Sequence, residues 1–430
     1  MNGISNSSPT VVTLGCRLNS GEADEMRGLA IGAGVERAVI VNTCAVTGEA
    51  VRQGMQQIRR LRRERPDAKL IVTGCAAQIE PERFAAMREV DHVIGNAEKV
   101  RSETFAALAR GGAPRVLALD IMAERSAGVS SSHGPHAIPR AFVQIQNGCD
   151  HRCTFCVIPF GRGRSRSVPQ QQVIDHVRRL VEHGMPEVVL TGVDITSWGA
   201  DLPGTPKLGR LVRALLAAVP GLPRLRISSI DQAEADPDLM AAIAEEPRLM
   251  PHLHLSLQSG SDLILKRMKR RHSRADAVAF CEQLRRLRPD IALGADMIAG
   301  FPTESETHFR DTMEVVSECG LVFLHVFPYS PRPGTPAARM PQVAAGEVRE
   351  RAGRLREVGQ GLLETWLRSQ VGRRISASLE RAGAGALPAR TPQFAQVRLT
   401  GAPDMCRAGE TVAARVTGTD GKRLMAEAIA

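Results

Sequence analysis

Short apolar runs separated by helix-length segments dominate the first three quarters of the chain. Three such runs open it, at residues 11–14, 38–41 and 69–73, and each is followed by a segment long enough for a helix. Buried parallel strands have nearly continuous apolar sequences, whereas strands with one solvated face alternate. The pattern therefore predicts an α/β fold that begins with a parallel β/α domain over residues 1–122.

A second series of apolar runs follows a segment of different composition. Residues 123–138 are rich in serine, glycine and histidine, which indicates a linker. The later runs lie at residues 141–146, 187–191, 224–228, 252–257, 291–298 and 321–328. Six β/α units predict a partial (β/α)6 barrel over residues 139–368.

The end of the chain has a third pattern. A helical stretch at residues 345–370 leads into short apolar runs that alternate with glycine-containing turns. This alternation predicts a small all-β domain over residues 369–430. From residue 371 onward nine basic residues face five acidic ones, so the segment is net positive by four.

Charge suggests the kind of partner. Lysine and arginine number 56 against 46 acids, a net charge of +10, which favours a polyanion such as nucleic acid. Six arginines lie in the predicted helix at residues 51–65, although a solvated helical face explains them equally simply. No apolar run approaches the roughly 20 residues that a membrane helix needs. We therefore expect a cytoplasmic protein with no membrane partner.

The strongest chemical signal is a cysteine loop after the first barrel strand. Cys149, Cys153 and Cys156 are separated by three and then two residues. Such a loop can place three thiolates around one 4Fe-4S cluster and leave the fourth iron without a protein ligand. A structural zinc site is the alternative, but zinc needs four ligands and His151, inside the loop, is poorly placed to be the fourth.

A second set of cysteines is dispersed along the chain. Cys16, Cys44 and Cys75 each end one of the first three predicted strands. Carboxyl ends of parallel strands lie along one edge of a sheet, so these thiols can converge on a second cluster. Three unrelated buried thiols are the alternative. The remaining Cys281, Cys319 and Cys406 match no motif and are expected to pack as small hydrophobic residues.

The spacing of the cysteine loop resembles the signature of the radical S-adenosylmethionine (SAM) superfamily. The resemblance implies that SAM chelates the free iron and is cleaved by an electron from the cluster to a 5'-deoxyadenosyl radical. Phe155 matches the aromatic position that contacts SAM in that superfamily. An electron donor such as flavodoxin or ferredoxin is then expected as a partner.

The flanks of the dispersed cysteines resemble the methylthiotransferases. Thr13-Leu-Gly-Cys16-Arg-Leu-Asn19, Asn42-Thr-Cys44-Ala-Val-Thr47 and Val72-Thr-Gly-Cys75-Ala-Ala-Gln78 are most similar to the branch that modifies N6-threonylcarbamoyladenosine in tRNA. The resemblance implies two 4Fe-4S clusters, SAM, and conversion of that nucleoside at position 37 to its 2-methylthio derivative. The alternatives are isopentenyladenosine in tRNA, a ribosomal protein side chain, and a noncatalytic iron-sulfur RNA-binding protein.

Further residues follow from the same resemblance. Polar or small residues at predicted strand ends are candidates for cofactor contact: Thr191, Gly192, Ser228, Gln258 and Asp296. The tail resembles the TRAM domain, an RNA-binding β module. Arginines in the tail and after the cysteine loop are candidates for phosphate contact: Arg162, Arg164, Arg373, Arg374 and Arg390.

Overall fold

The structure, a computed structural model, describes residues 8–128, 131–132, 139–383, 385–402 and 406–429. In the N-terminal part the strands and helices are β1 Thr10–Thr13, α1 Arg17–Gly32, β2 Ala38–Thr43, α2 Gly48–Glu64, β3 Lys69–Gly74, α3 Cys75–Ile79, α4 Pro81–Ala85, β4 His92–Ile94, α5 Ser102–Ala109 and β5 Val116–Leu117.

These five strands form one parallel sheet in the order β1-β2-β3-β4-β5. The first three runs of the sequence are thus confirmed as neighbouring strands, and every residue of β2 is buried. The strands β4 and β5 were not predicted, because runs of three and two residues carry no detectable period. The arginine-rich helix α2 begins earlier than predicted, where the Thr47 side chain accepts a hydrogen bond from the Ala50 amide at 3.0 Å.

The central part contains the second β/α series. Its strands are β6 Ser131–Ser132, β7 Ala141–Gln144, β8 Gln146–Asn147, β9 Arg166–Ser167, β10 Glu187–Thr191, β11 Arg224–Ile227, β12 Ser229–Ile230, β13 His252–Gln258, β14 Ala292–Ala299 and β15 Leu321–Pro328. Its helices are α6 Ile158–Arg162, α7 Gln170–Glu182, α8 Leu208–Ala218, α9 Pro237–Glu245, α10 Asp262–Met268, α11 Arg274–Leu287, α12 Glu306–Glu318 and α13 Ala345–Ser369.

The barrel strands form two four-stranded sheets, β6-β7-β10-β11 and β12-β13-β14-β15. Ser228 separates β11 from β12, so a run predicted as one strand continues from the first sheet into the second. The six predicted barrel runs are parallel neighbours in the predicted order. One part of the predicted linker is different, because Ser131–Ser132 pairs antiparallel with β7 as an edge strand. Residues 129–130 and 133–138 of that linker lie outside the described residues.

The tail folds as a small β-barrel, as predicted. Its strands are β16 Arg374–Leu379, β17 Leu387–Arg390, β18 Gln396–Thr400, β19 Thr411–Thr419 and β20 Leu424–Ala428. They close in the order β16-β17-β18-β20-β19 around a core of small and branched apolar side chains. None of the described helices combines the length and the apolar character that crossing a membrane requires.

Candidate active site

The dispersed cysteines meet at one edge of the N-terminal sheet. Cys16 follows β1 at the start of α1, Cys44 follows β2, and Cys75 follows β3 as the first residue of α3. Gly15 has a φ of +95°, and a Cβ built on it would lie 2.7 Å from Cys44 Sγ. The backbone before Cys16 therefore approaches the second thiol as closely as glycine alone allows.

Electrostatics give further evidence that these three thiols share one site. Burial, together with smaller contributions from negative charge on Cys75 and Cys16, raises the pKa of Cys44 to about 11. A thiolate ligand therefore requires a cation that displaces its proton. Three converging thiols fit a 4Fe-4S cluster with one open iron.

The cysteine loop lies between β8 and α6. The buried side chain of Gln146 fixes its shape, since Nε2 donates to the Gly148 carbonyl at 2.8 Å and Oε1 accepts from the Asp194 amide at 2.8 Å. Thr154 Oγ1 donates to the Arg267 carbonyl at 2.8 Å and ties the loop to the end of α10. Three partly buried thiols, with no fourth cysteine in the loop, again fit a cluster with one open iron.

The contacts of His151 disfavour a role as a metal ligand. Its Nε2 lies 2.9 Å from Asp194 Oδ2, and hydrogen bonds to Asp194 and Glu234 raise the pKa of His151 to about 10. The pKa favours a protonated imidazole at neutral pH, so zinc would have to displace a proton from this ring. The ring lies within 4.8 Å of the ligand atoms of Cys149 and Asp194 but is already bound to two carboxylates.

The two sets of cysteines face each other across one interface. The helix α6, which follows the cysteine loop, packs on Cys75, and a Cβ built on Gly161 would lie 3.2 Å from Cys75 Cβ. Negative charge on Cys75 is also among the influences that raise the pKa of Cys156. The arrangement therefore brings the two cluster sites close to each other.

Arg162 joins the two sets directly. Its Nε donates to Cys75 Sγ at 3.1 Å, and its terminal nitrogens donate to the Glu22 carboxylate and to Asn19. The side chain is 2% exposed. The prediction that Arg162 contacts RNA phosphate is therefore wrong, because its guanidinium is enclosed at the dispersed cysteines.

A buried polar network continues behind Arg162. Lys99 Nζ lies 2.6 Å from Glu22 Oε2 and donates to Asn96 Oδ1 at 2.6 Å. Burial alone would raise the pKa of Glu22, but Arg162 and Lys99 together hold it below its ordinary value. Asn96 Nδ2 in turn lies 3.8 Å from Cys75 Sγ. Asn96 and Lys99 follow β4, so the same strand-end reasoning would have found them had that strand been recognised.

The predicted cofactor contacts have different surroundings. Thr191 ends β10, and a Cβ on Gly192 would lie 2.6 Å from the Gln146 carbonyl, so this glycine permits a close backbone approach. Ser228 lies between two strands, and Gln258 ends β13 with a φ of +75°. Their contact with SAM stays a prediction. Phe155 packs edge-on to Phe301, with ring centroids 6.4 Å apart.

Asp296 does not lie at a strand end. It is inside β14, where its Oδ1 lies 2.8 Å from His254 Nε2 and 3.2 Å from His325 Nδ1. Both imidazoles hold the pKa of Asp296 well below its ordinary value, although burial acts in the opposite direction. The carboxylate is thus already engaged, and neither histidine was recognised from the sequence because each lies within an apolar strand.

The candidate RNA contacts of the tail are divided. Arg373 and Arg374 are exposed at the start of β16, and Arg164 is exposed beyond the cysteine loop. Arg390 is engaged instead: its Nε lies 2.9 Å from Glu380 Oε1, and its guanidinium lies 4.6 Å from the Phe394 ring centroid. The prediction that Arg390 contacts RNA conflicts with this packing role.

Comparison with known proteins agrees with this geometry. Residues 143–316 match the Radical SAM superfamily, and residues 9–95 match a family described as Uncharacterized protein family UPF0004. The fold resembles a solved radical S-adenosylmethionine methyltransferase, TsrM from Kitasatospora setae, with a TM-score of 0.51 at 18% identity over 73% of this chain and 67% of that one. The chain is a radical SAM enzyme by fold and by its cysteine loop.

Two relatives define the family more narrowly. Threonylcarbamoyladenosine tRNA methylthiotransferase MtaB from Rickettsia prowazekii is 46% identical over 90% of each chain. A tRNA-2-methylthio-N(6)-dimethylallyladenosine synthase from Sorangium cellulosum is 34% identical over 97% of this chain and 92% of the other. The protein belongs to the radical SAM methylthiotransferases, which use SAM and two 4Fe-4S clusters.

Proposed function

We propose that this enzyme converts N6-threonylcarbamoyladenosine at position 37 of tRNA to its 2-methylthio derivative. The observation that carries the proposal is the close approach of two three-cysteine sites, joined by Arg162 at 3.1 Å from Cys75 Sγ. The relative named for this nucleoside is 46% identical, against 34% for one named for the dimethylallyl nucleoside.

The chemistry divides between the two sites. When bound, the first cluster and SAM would supply a radical that can remove hydrogen from an unactivated carbon, the second cluster would supply or hold the sulfur, and a second SAM molecule would donate the methyl group. Cys149, Cys153 and Cys156 would hold the first cluster, and Cys16, Cys44 and Cys75 the second. Gln146 sets the shape of the first loop, while Arg162 and Asn96 donate to the sulfur of Cys75.

The reacting base must come within reach of both sites. The helix α6 packs directly on Cys75, so the two sites are close enough for one bound base to lie near each cluster. SAM and tRNA are the substrates of this proposal. A flavodoxin or ferredoxin is proposed as the electron donor, and the cytoplasm as the location, because tRNA and low-potential reductants occur there together.

Nucleoside mass spectrometry tests the proposal. We expect tRNA from a strain without the gene to lack 2-methylthio-N6-threonylcarbamoyladenosine and to accumulate the unmethylthiolated nucleoside. Return of the gene should restore the product. Loss of the 2-methylthio dimethylallyl nucleoside instead would favour the second candidate function, which the 34% identical relative supports. Unchanged tRNA would point to a different substrate.

A further inference from the structure

Arg332 is a buried cation whose side chain has no partner among the described residues. It lies in the loop after β15 and is 6% exposed, and its Nε is buried with no hydrogen-bond partner in the part of the chain that the structure describes. Within the described residues its guanidinium makes no hydrogen bond and no ion pair. The carboxylate of Glu80 acts on it through space but is bound to Arg83 at 3.0 Å. Negative charge on Cys44 and on a cluster bound there would compensate part of this buried charge, and the remainder favours an anionic ligand in the cavity.

Arg332 lines a cavity of about 470 Å³ against the helix α2. Arg52, Arg59 and Arg83 also line it. Arg52 is paired with Glu49 and Arg83 with Glu80. Four arginines against two carboxylates leave the cavity with a net charge of +2.

The shape of the cavity suits a nucleotide better than a small inorganic anion. Arg52 and Arg59 are seven residues apart, about two turns or 10 Å along one face of α2. Val51 and Met55 also line the cavity and provide its apolar floor. A single phosphate would fill a small part of the volume, whereas a phosphodiester with its sugar and base can use both the arginines and the floor.

The cavity is also adjacent to the dispersed cysteines. The Gly48 amide donates to Ser330 Oγ at 2.9 Å, which holds the loop of Arg332 against the start of α2. Burial lowers the pKa of Arg332, and negative charge on Cys44 would act in the opposite direction, so the guanidinium lies within electrostatic reach of that thiol. An RNA strand held here passes beside the second cluster site.

We propose that Arg332 and Arg59 bind a phosphodiester of the substrate RNA and so hold a nucleotide close to the modified base beside Cys44. This proposal rests on the proposed function, because it takes RNA as the substrate. Positive groups in a cleft neutralise backbone phosphate and fix the register of the strand without reading its sequence. The basic face of α2 is then a binding surface rather than a solvated one.

The test measures binding of anticodon stem-loop RNA to the reconstituted holoenzyme over a range of salt concentrations. We expect Arg332→Gln and Arg59→Gln each to weaken binding roughly tenfold. The slope of log K against log salt should fall by about 0.7 for each single-strand phosphate that the variant no longer neutralises. Arg63→Gln is the matched control. It removes the same charge from an exposed position on α2 outside the cavity.

A second measurement varies the RNA and combines each change with Arg332→Gln. Stem-loops that each carry one neutral methylphosphonate should bind the wild-type enzyme normally except at one or two adjacent positions. At those positions Arg332→Gln should weaken binding no further, because both changes remove the same interaction. Independent effects of the two changes would overturn the proposal, and so would uniform binding across the whole phosphate series.

Three further outcomes distinguish a different ligand, failure of the cavity proposal and failure of the proposed function. If Arg332→Gln weakens binding only of RNA that carries the threonylcarbamoyl group, its carboxylate is the ligand and the phosphodiester proposal is wrong. If the wild type binds and methylthiolates RNA while both cavity variants bind as Arg63→Gln does, only the cavity proposal fails. If the wild type binds no RNA at all, the proposed function fails with it.

Discussion

At the scale of single residues, the two cysteine sites have separable tasks. Cys153 belongs to the loop that resembles the radical SAM signature, whereas Cys44 lies at the N-terminal sheet edge. We expect Cys153→Ala to abolish formation of 5'-deoxyadenosine. Cys44→Ala should still cleave SAM without coupling to product and should lose sulfur insertion. Chromatography of 5'-deoxyadenosine and of digested RNA measures both. Methylthiolated product from Cys44→Ala would disprove the role of the second cluster.

Arg162 offers a test of how the protein adjusts that second cluster. Its Nε–H donates to Cys75 Sγ, and donors to cluster sulfurs favour the reduced, more negative state. We therefore expect Arg162→Gln to shift the reduction potential of the second cluster to more negative values, and Arg162→Lys to shift it less. Redox titration followed by electron paramagnetic resonance, in a Cys153→Ala background, isolates this cluster.

The control for Arg162 is its neighbour Arg164, which is exposed two residues later. Arg164→Gln removes the same charge without removing a donor to cysteine sulfur. A positioning role for Arg162 predicts distinct potentials for the two variants at equal iron content. Equal potentials would show that Arg162 only stabilises the interface with Glu22.

At the scale of elements, the turn between β1 and α1 controls the second site. Gly15 has a left-handed φ, and a methyl group there would meet both Cβ and Sγ of Cys44. Gly15→Ala should therefore reduce bound iron and sulfide by about one cluster per chain while leaving 5'-deoxyadenosine formation in place. Gly28→Ala, in α1 with open space around it, is the matched control and should keep both clusters. Full iron content in Gly15→Ala would contradict this account.

The sequence predicts the strands and helices that form a recognisable apolar run or period, and the strand ends that follow from them. The convergence of Cys16, Cys44 and Cys75 could be predicted because each follows an apolar run in a parallel sheet. The role of Arg162 could not, because its partners Glu22 and Cys75 are 140 and 87 residues away in the chain. Spacing reports local structure, whereas such a contact depends on how two sheets pack.

The same limit explains the treatment of Asp296 and of the helix α2. Asp296 lies two residues inside the predicted run at 291–298 and was nevertheless grouped with the strand ends, whereas β14 continues to Ala299 and its neighbours supply His254 and His325. The arginines of α2 were compatible with a solvated face until Arg332, almost 270 residues further along the chain, was seen to complete the cavity. The surroundings of Asp296 and of the α2 arginines become visible only when the neighbouring strands and loop are in place.

At the scale of the whole molecule, a buried carboxylate fastens the C-terminal barrel to the central strands. Glu187 begins β10 and is 1% exposed, with Arg140 and Arg226 bound to it. Arg226 also donates to the Thr391 carbonyl at 3.0 Å, and its guanidinium lies 4.8 Å from the centroid of the Phe394 ring. The position of the exposed Arg373 and Arg374 relative to the central strands is thus held in part by an ion-pair cluster centred on Glu187.

Removal of the Glu187 charge should weaken the contact between the C-terminal barrel and the central strands without changing catalysis. Glu187→Gln leaves Arg226 without a counter-ion and Arg140 with Glu380 alone, which we expect to lower the free energy of unfolding by about 3–5 kcal/mol, as measured by urea denaturation. Burial alone would raise the pKa of Glu187, but Arg226 and Arg140 hold it below its ordinary value, so the carboxylate is ionised throughout the neutral range. Its contribution is present above the unfolded pKa and is lost only as pH falls through the lower folded value. The difference in unfolding free energy between wild type and variant should therefore stay constant across neutral pH.

Glu245→Gln is the control. Glu245 ends α9 and has no ion pair among the described residues, so this change should alter the free energy of unfolding by less than about 0.5 kcal/mol. A Glu187→Gln enzyme as stable as this control would show that the two parts of the molecule are held together by apolar packing alone.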